Sequence, residues 1–191
     1  MGDESGTHMV PVLAVERLLE YMELLSDMGR RQGPGELKSF RFRTFAELLL
    51  VHGRLWWEQV DLDRAGITRG VERRCWQNST ELADQDPALV YVEGFASCSV
   101  LPVGTEHAWC VSRHGDMSGA IDVTWRPDQH VAYLGLPLSD EIRAKAQETT
   151  NRWQVLTGHN SFGVALLRDG PDPDTLVDVG VPVAAVRPPR S

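Results

Sequence analysis

Apolar and polar positions alternate with two different periods along this chain, helical at the start and strand-like in the middle. From Val10 to Met28, apolar residues Leu13, Leu18, Leu19, Met22, Leu25 and Met28 recur at three- and four-residue spacing, which predicts an amphipathic helix. Glu16, Arg17, Glu20 and Glu23 fall on its polar side, and GRRQGPGE breaks it. Thr44 and Glu47 have capping-box spacing ahead of Phe45, Leu48, Leu49 and Leu50, so a second helix is expected from about Phe45 to Trp57. Trp56 and Trp57 would point in different directions on it, one of them into the core. VDLDRAGITRG reads as a connector, with Thr68 as N-cap of a third helix running to about Asp84. LVYVEGFAS, EHAWCVS and GAIDVTW then read as three strands joined by LPVGT and RHGDMSG, and HVAYLGLPL as a fourth. Ser139 is placed to cap a helix through Leu156, with Ile142, Ala146, Thr149, Trp153 and Leu156 on one face and Gly158 ending it.

Helices first, a strand meander next and a helix after it predict an α+β domain with helices packed on an antiparallel sheet. A single domain is expected over residues 10–191, with N-terminal helices at 10–60, the core at 68–156 and an irregular tail at 157–191. Residues 1–9 are expected to be disordered or partly left over from a tag.

Composition narrows the class without naming a chemistry. At 191 residues, 42% hydrophobic and 24% charged, the chain suits one globular core. No apolar run approaches the roughly 20 residues of a membrane span, and the acidic MGDESGTH lacks the basic region of an export signal. A cytoplasmic protein without a membrane partner is the expectation. A net charge of -8 and a pI near 5.2 argue against nucleic acid, which needs concentrated positive charge. The three cysteines lack CxxC spacing, so reduced thiols are expected in place of a disulfide framework or structural zinc.

Chemistry concentrates between Cys75 and Trp125. Cys75 opens RRCWQNSTELA early in its expected helix beside Arg73 and Arg74, and both features favour a thiolate. His107 lies in the apolar strand EHAWCV. Asp122 interrupts the apolar run AIDVTW, and a carboxylate there needs a partner. With the turn near Gly115–Asp116, His107 falls opposite about Thr124, and Asp122 sits on the same face one diagonal away. Asp122 can then orient the imidazole, and the imidazole can activate the thiol.

RCWQNSTELA, YVEGFA, EHAWCV and AIDVTW together resemble the core of the transglutaminase-like branch of the papain-like cysteine enzymes. The resemblance spans roughly a quarter of the chain. It implies a papain-like core with the nucleophile at a helix N-terminus, and a triad of Cys75, His107 and Asp122. Also implied is thiol-dependent acyl transfer at an amide or thioester carbonyl, by an amidase, peptidase or amide-forming acyltransferase. Its substrate would be a peptide or small-molecule acyl compound, and no cofactor is called for. The oxyanion would meet the Cys75 N–H and one side-chain donor, for which Gln59, Gln77, Asn78, Trp56 and Trp57 are candidates, with Trp109 as a further pocket residue.

Other readings stay open. The chain could be a non-catalytic binding module on the same fold or, less readily, a metal-dependent hydrolase using Cys75, His107 and Asp122. Glu93 and Glu106 are expected on a solvated strand face, and Tyr133 in ordinary core. The histidines at 52, 114, 130 and 159 show no metal-binding spacing.

Overall fold

The computed structural model describes residues 9–32, 39–99, 103–114, 119–127, 131–157 and 160–186. The expectations for residues 1–8, Gly115, Asp116, His130, Gly158 and His159 lie outside these. Helix α1 (Met9–Gln32) buries Val15, Leu18, Leu19 and Met22, while Leu13 and Met28 at the margins of its expected apolar face are 46% and 44% exposed. Each fully buried leucine here contributes about 2 kcal/mol. Helix α2 (Phe45–His52) is capped as its sequence suggests, with Thr44 Oγ1 accepting from Glu47 N at 3.0 Å. The Glu47 carboxylate reaches back one residue further than in a standard capping box, to Arg43 N at 2.8 Å.

Helix α2 does not run on to Trp57. Gly53 donates to Leu49 O and ends it, and the chain enters strand β1 (Arg54–Trp56). A Cβ on Gly53 would stand 2.4 Å from Leu49 O, so glycine is what fits this corner. The connector holds a short helical turn, α3 (Leu62–Ala65), capped by Asp61. Thr68 caps nothing, because α4 (Cys75–Gln85) begins at the cysteine itself. Strands β2 (Leu89–Ser97), β3 (Thr105–Ser112) and β4 (Ala132–Pro137) fall where the β-branched and aromatic runs placed them. GAIDVTW is not a strand: only Ala120 and Ile121 make ladder bridges, and the chain bends away from Asp122 onward.

After Ser139, helix α5 (Asp140–Thr150) stops six residues short of Leu156. Asn151 takes the left-handed conformation (φ 50°) that closes a helix C-terminus, leaving Trp153 46% exposed. The tail is more ordered than its proline and glycine content suggests. Asn160 caps helix α6 (Ser161–Asp169), and a 3-10 turn (Pro173–Thr175), strand β5 (Val181–Pro182) and short helix α7 (Val183–Val186) follow.

The strands form one antiparallel sheet in the order β3-β2-β4-β1-β5. Helices α1, α2 and α4 to α6 cover one face around Leu48, Tyr91, Cys110, Leu134 and Leu136. On the other face the sheet curls until its ends meet. Ala120 bridges Gln59, just beyond β1, and Ile121 bridges Cys110 on β3, which closes the ring of hydrogen-bonded segments. Inside that barrel pack Trp56, Val90, Val92, Trp109, Val111 and Tyr133. Gly94 and Gly135 are cross-strand partners, and a Cβ on Gly135 would come within 2.7 Å of the Trp109 ring. The bare Gly135 lets the indole lie against the backbone, and Gly94, which pairs with His107, lets β2 and β4 approach closely.

Candidate active site

Local backbone geometry presents Cys75. Arg73 has φ 64°, a left-handed conformation that costs a non-glycine residue on the order of 1 kcal/mol, and two residues later the helix starts. Arg74 occupies the N-cap position without a side-chain cap bond, so α4 begins at Cys75 without the side-chain acceptor most helices have there. Cys75 is 7% exposed.

His107, on β3 inside the barrel, is 1% exposed, and its Nε2–H donates to Asp122 Oδ2 at 2.8 Å. Cys75 lies close enough to the same imidazole to act on its protonation, while Nε2 is taken by the carboxylate. Burial pushes this imidazole down; the hydrogen bond and charge of Asp122, joined by Cys75, more than reverse that and raise it to about 9. Trp125 stacks on the ring, with centroids 4.3 Å apart at 27°.

Asp122 is 3% exposed and accepts four hydrogen bonds. Oδ1 takes Thr124 N and Trp125 N, each at 2.9 Å, and Oδ2 takes His107 and the Tyr133 hydroxyl, the latter at 2.9 Å. Burial would raise its carboxyl, but His107 and these donors hold it below the usual carboxylate range. The bridge Cys110↔Ile121 has the register that the expected turn near Gly115–Asp116 implies, but pairing stops there and no ladder reaches His107 and Thr124. The loop places the carboxylate by wrapping its own amides around it, where a strand was expected to carry it.

Helix α4 and this loop are tied by Asn78, one turn after the cysteine. Its Nδ2 donates to Val71 O (2.7 Å) and Thr124 Oγ1 (2.9 Å), and its Oδ1 accepts from Val71 N (3.2 Å). Two more bonds join the connector ahead of α4 to the same loop, Gly70 N to Val123 O and Arg69 Nη1 to Trp125 O. Of the other oxyanion candidates, Gln77 Nε2 is engaged by Glu81 at 2.7 Å and Gln59 Nε2 by the Tyr133 hydroxyl at 2.6 Å. Trp109 Nε1 is buried without a hydrogen-bond partner among the described residues. Trp56 is buried and Trp57 half-buried, and both line a cavity of about 600 Å³ with Glu58, Val111, Arg113 and Val179. None of Cys75, His107 and Asp122 lines it.

Glu93 is 2% exposed, contrary to the solvated face expected of it. β2 is covered on both sides, and the carboxylate accepts from Tyr91 OH (2.8 Å), Val155 N (2.8 Å) and Leu156 N (3.0 Å). Glu106 is exposed, as expected. Tyr133 is core, but core with its hydroxyl on the carboxylate, and Trp125 is a ring contact that motif spacing did not single out. Among the described residues no group of three or more His, Cys, Asp and Glu is arranged to hold a metal ion, and no helix is long and apolar enough to cross a membrane. Comparison with known proteins returns no match to this chain among family models, curated proteins or solved structures.

Proposed function

We propose that this protein is a cysteine-dependent acyl-transfer enzyme with a papain-like, transglutaminase-like core, acting at amide or thioester carbonyls of peptide or small-molecule substrates. The observation that carries the reading is the buried His107–Asp122 contact at 2.8 Å, together with the placement of Cys75 at the start of α4, near enough to act on the same imidazole. His107 takes the Cys75 proton, and the sulfur attacks the carbonyl carbon. The oxyanion that forms is stabilised by the N-terminal N–H groups of α4, where the helix dipole also favours negative charge. The tetrahedral species collapses to a thioester as His107 protonates the departing amine or thiol. Water or an amine, deprotonated by the same imidazole, then attacks the thioester and restores the thiol. Asp122 keeps Nε2 protonated and stabilises the imidazolium throughout.

Alkylation by iodoacetamide near pH 7, read by peptide mass spectrometry, tests this. Cys75 is expected to react faster than half-buried Cys98 and far faster than Cys110, which donates to Ser79 O and whose thiol burial pushes up. Equal rates at the three, or no labelling of Cys75, would sink the proposal. One observation favours a second reading, a binding module without chemistry: all three side chains are almost wholly enclosed. On that reading Cys75→Ser changes stability and removes no turnover of any amide or thioester offered.

A further inference from the structure

The acyl-transfer mechanism uses one of the two hydrogen bonds on Asp122 Oδ2 and leaves the other, from Tyr133, without a role. Tyr133 lies on β4 inside the barrel, fully buried, with its ring 4.9 Å from Trp109. Its hydroxyl donates to Oδ2 at 2.9 Å and accepts from Gln59 Nε2 at 2.6 Å. A phenylalanine would fill the same volume without setting a hydroxyl against a buried carboxylate. We infer that Tyr133, backed by Gln59, is a positioning residue for the Cys75–His107–Asp122 set, holding Oδ2 on the imidazole and taking a share of the carboxylate charge.

This inference deepens the acyl-transfer reading and rests on it. Thr124 and Trp125 fix Oδ1, so the Tyr133 O–H is the second point that sets the rotation of the carboxylate. A donor on Oδ2 also spreads the negative charge that the imidazole would otherwise face alone. The Gln59 donor polarises the phenol and strengthens that bond. Without Tyr133, His107 would hold its proton more tightly and return it less readily to a leaving group. The titratable groups acting on His107 are Asp122 and Cys75, and those acting on Tyr133 are Asp122 and Cys98.

The test is the titration of the His107 imidazole, followed by nitrogen-edited NMR of the full-length protein, in the parent, Tyr133→Phe and Gln59→Leu. The midpoint is expected to rise by about half a pH unit in Tyr133→Phe, and by less in the same direction in Gln59→Leu. An unchanged midpoint in folded Tyr133→Phe overturns the inference and makes the hydroxyl mere packing. Should Tyr133→Phe fail to fold, the half-buried Gln59 variant decides by the same criterion. Iodoacetamide labelling separates the two levels. A moved midpoint without selective Cys75 labelling upholds the positioning contact and rejects acyl transfer. Selective labelling with a fixed midpoint does the reverse.

Discussion

The buried carboxyl of Glu93 makes a sharp test of the packing around β2. Burial pushes it up to about 7 from an ordinary 4.5, against the pull of the bonds from Val155, Tyr91 and Leu156. A carboxyl that binds its proton more tightly in the folded state than in the unfolded chain draws stability downward as pH rises between those two values. The difference of about 2.5 units corresponds to about 3 kcal/mol lost between pH 4.5 and 7, with a flat dependence outside that window. Glu93→Gln removes the titration. Its amide cannot accept from all three donors, which adds a pH-independent cost of about 1–3 kcal/mol. That offset drops out when slopes are compared. Urea unfolding at half-unit steps from pH 4 to 8 gives both curves. The parent is expected to lose about 3 kcal/mol relative to the variant across the window. Parallel curves, with the difference constant to within about 1 kcal/mol, would refute the idea that burial outweighs the three donors.

Further perturbations probe how the site is assembled. Asn78→Ala removes three hydrogen bonds linking α4 to the connector and the Asp122 loop, and is expected to cost about 2–4 kcal/mol and to lower the Cys75 alkylation rate. Full stability in thermal unfolding would show the clamp to be dispensable. Arg73→Gly relieves the left-handed backbone and is expected to be neutral or stabilising by up to about 1 kcal/mol, whereas Arg73→Val should cost about 1–2 kcal/mol. Similar melting points for the two would remove the strain. Gly135→Ala drives a methyl into the Trp109 ring and is expected to destabilise by about 1–3 kcal/mol and to quench or shift tryptophan emission; an unchanged spectrum and midpoint would contradict the close contact.

Helical periodicity made α1 legible, and runs of β-branched and aromatic residues did the same for β2, β3 and β4, which are buried on both faces over most of their length. Such signals failed where one residue overrides a pattern. Gly53 ends α2 although Leu55 and Trp56 continue its apolar run, since those side chains are equally at home on a strand. Asn151 ends α5 in the same way, and Asn160 starts α6 in a tail whose prolines and glycines mask a nine-residue helix. Cys75, His107 and Asp122 stood out because each is out of place locally. Tyr133 and Trp125 did not, because an aromatic in a strand or after one looks the same whether its rim is idle or bonded. The barrel closure was illegible for a different reason: two isolated bridges leave no periodic trace.

Those two bridges bear on how the Cys75–His107–Asp122 set can come apart. Ala120 and Ile121 are held by four backbone hydrogen bonds, to Glu58, Val60 and Cys110, and Asp122 follows directly. The bonds of Asn78, Gly70 and Arg69 to residues 123–125 hold the far side of Asp122 as well, so the segment opens only by releasing both sets, at a free energy still below that of global unfolding. The protein could then switch between a state with an oriented imidazole and one without, while its sheet and helices remain intact. Amide exchange at Ala120 and Ile121, faster than in the flanking β3 ladder, would be the signature of that opening, and its rate would set how often His107 loses its carboxylate partner.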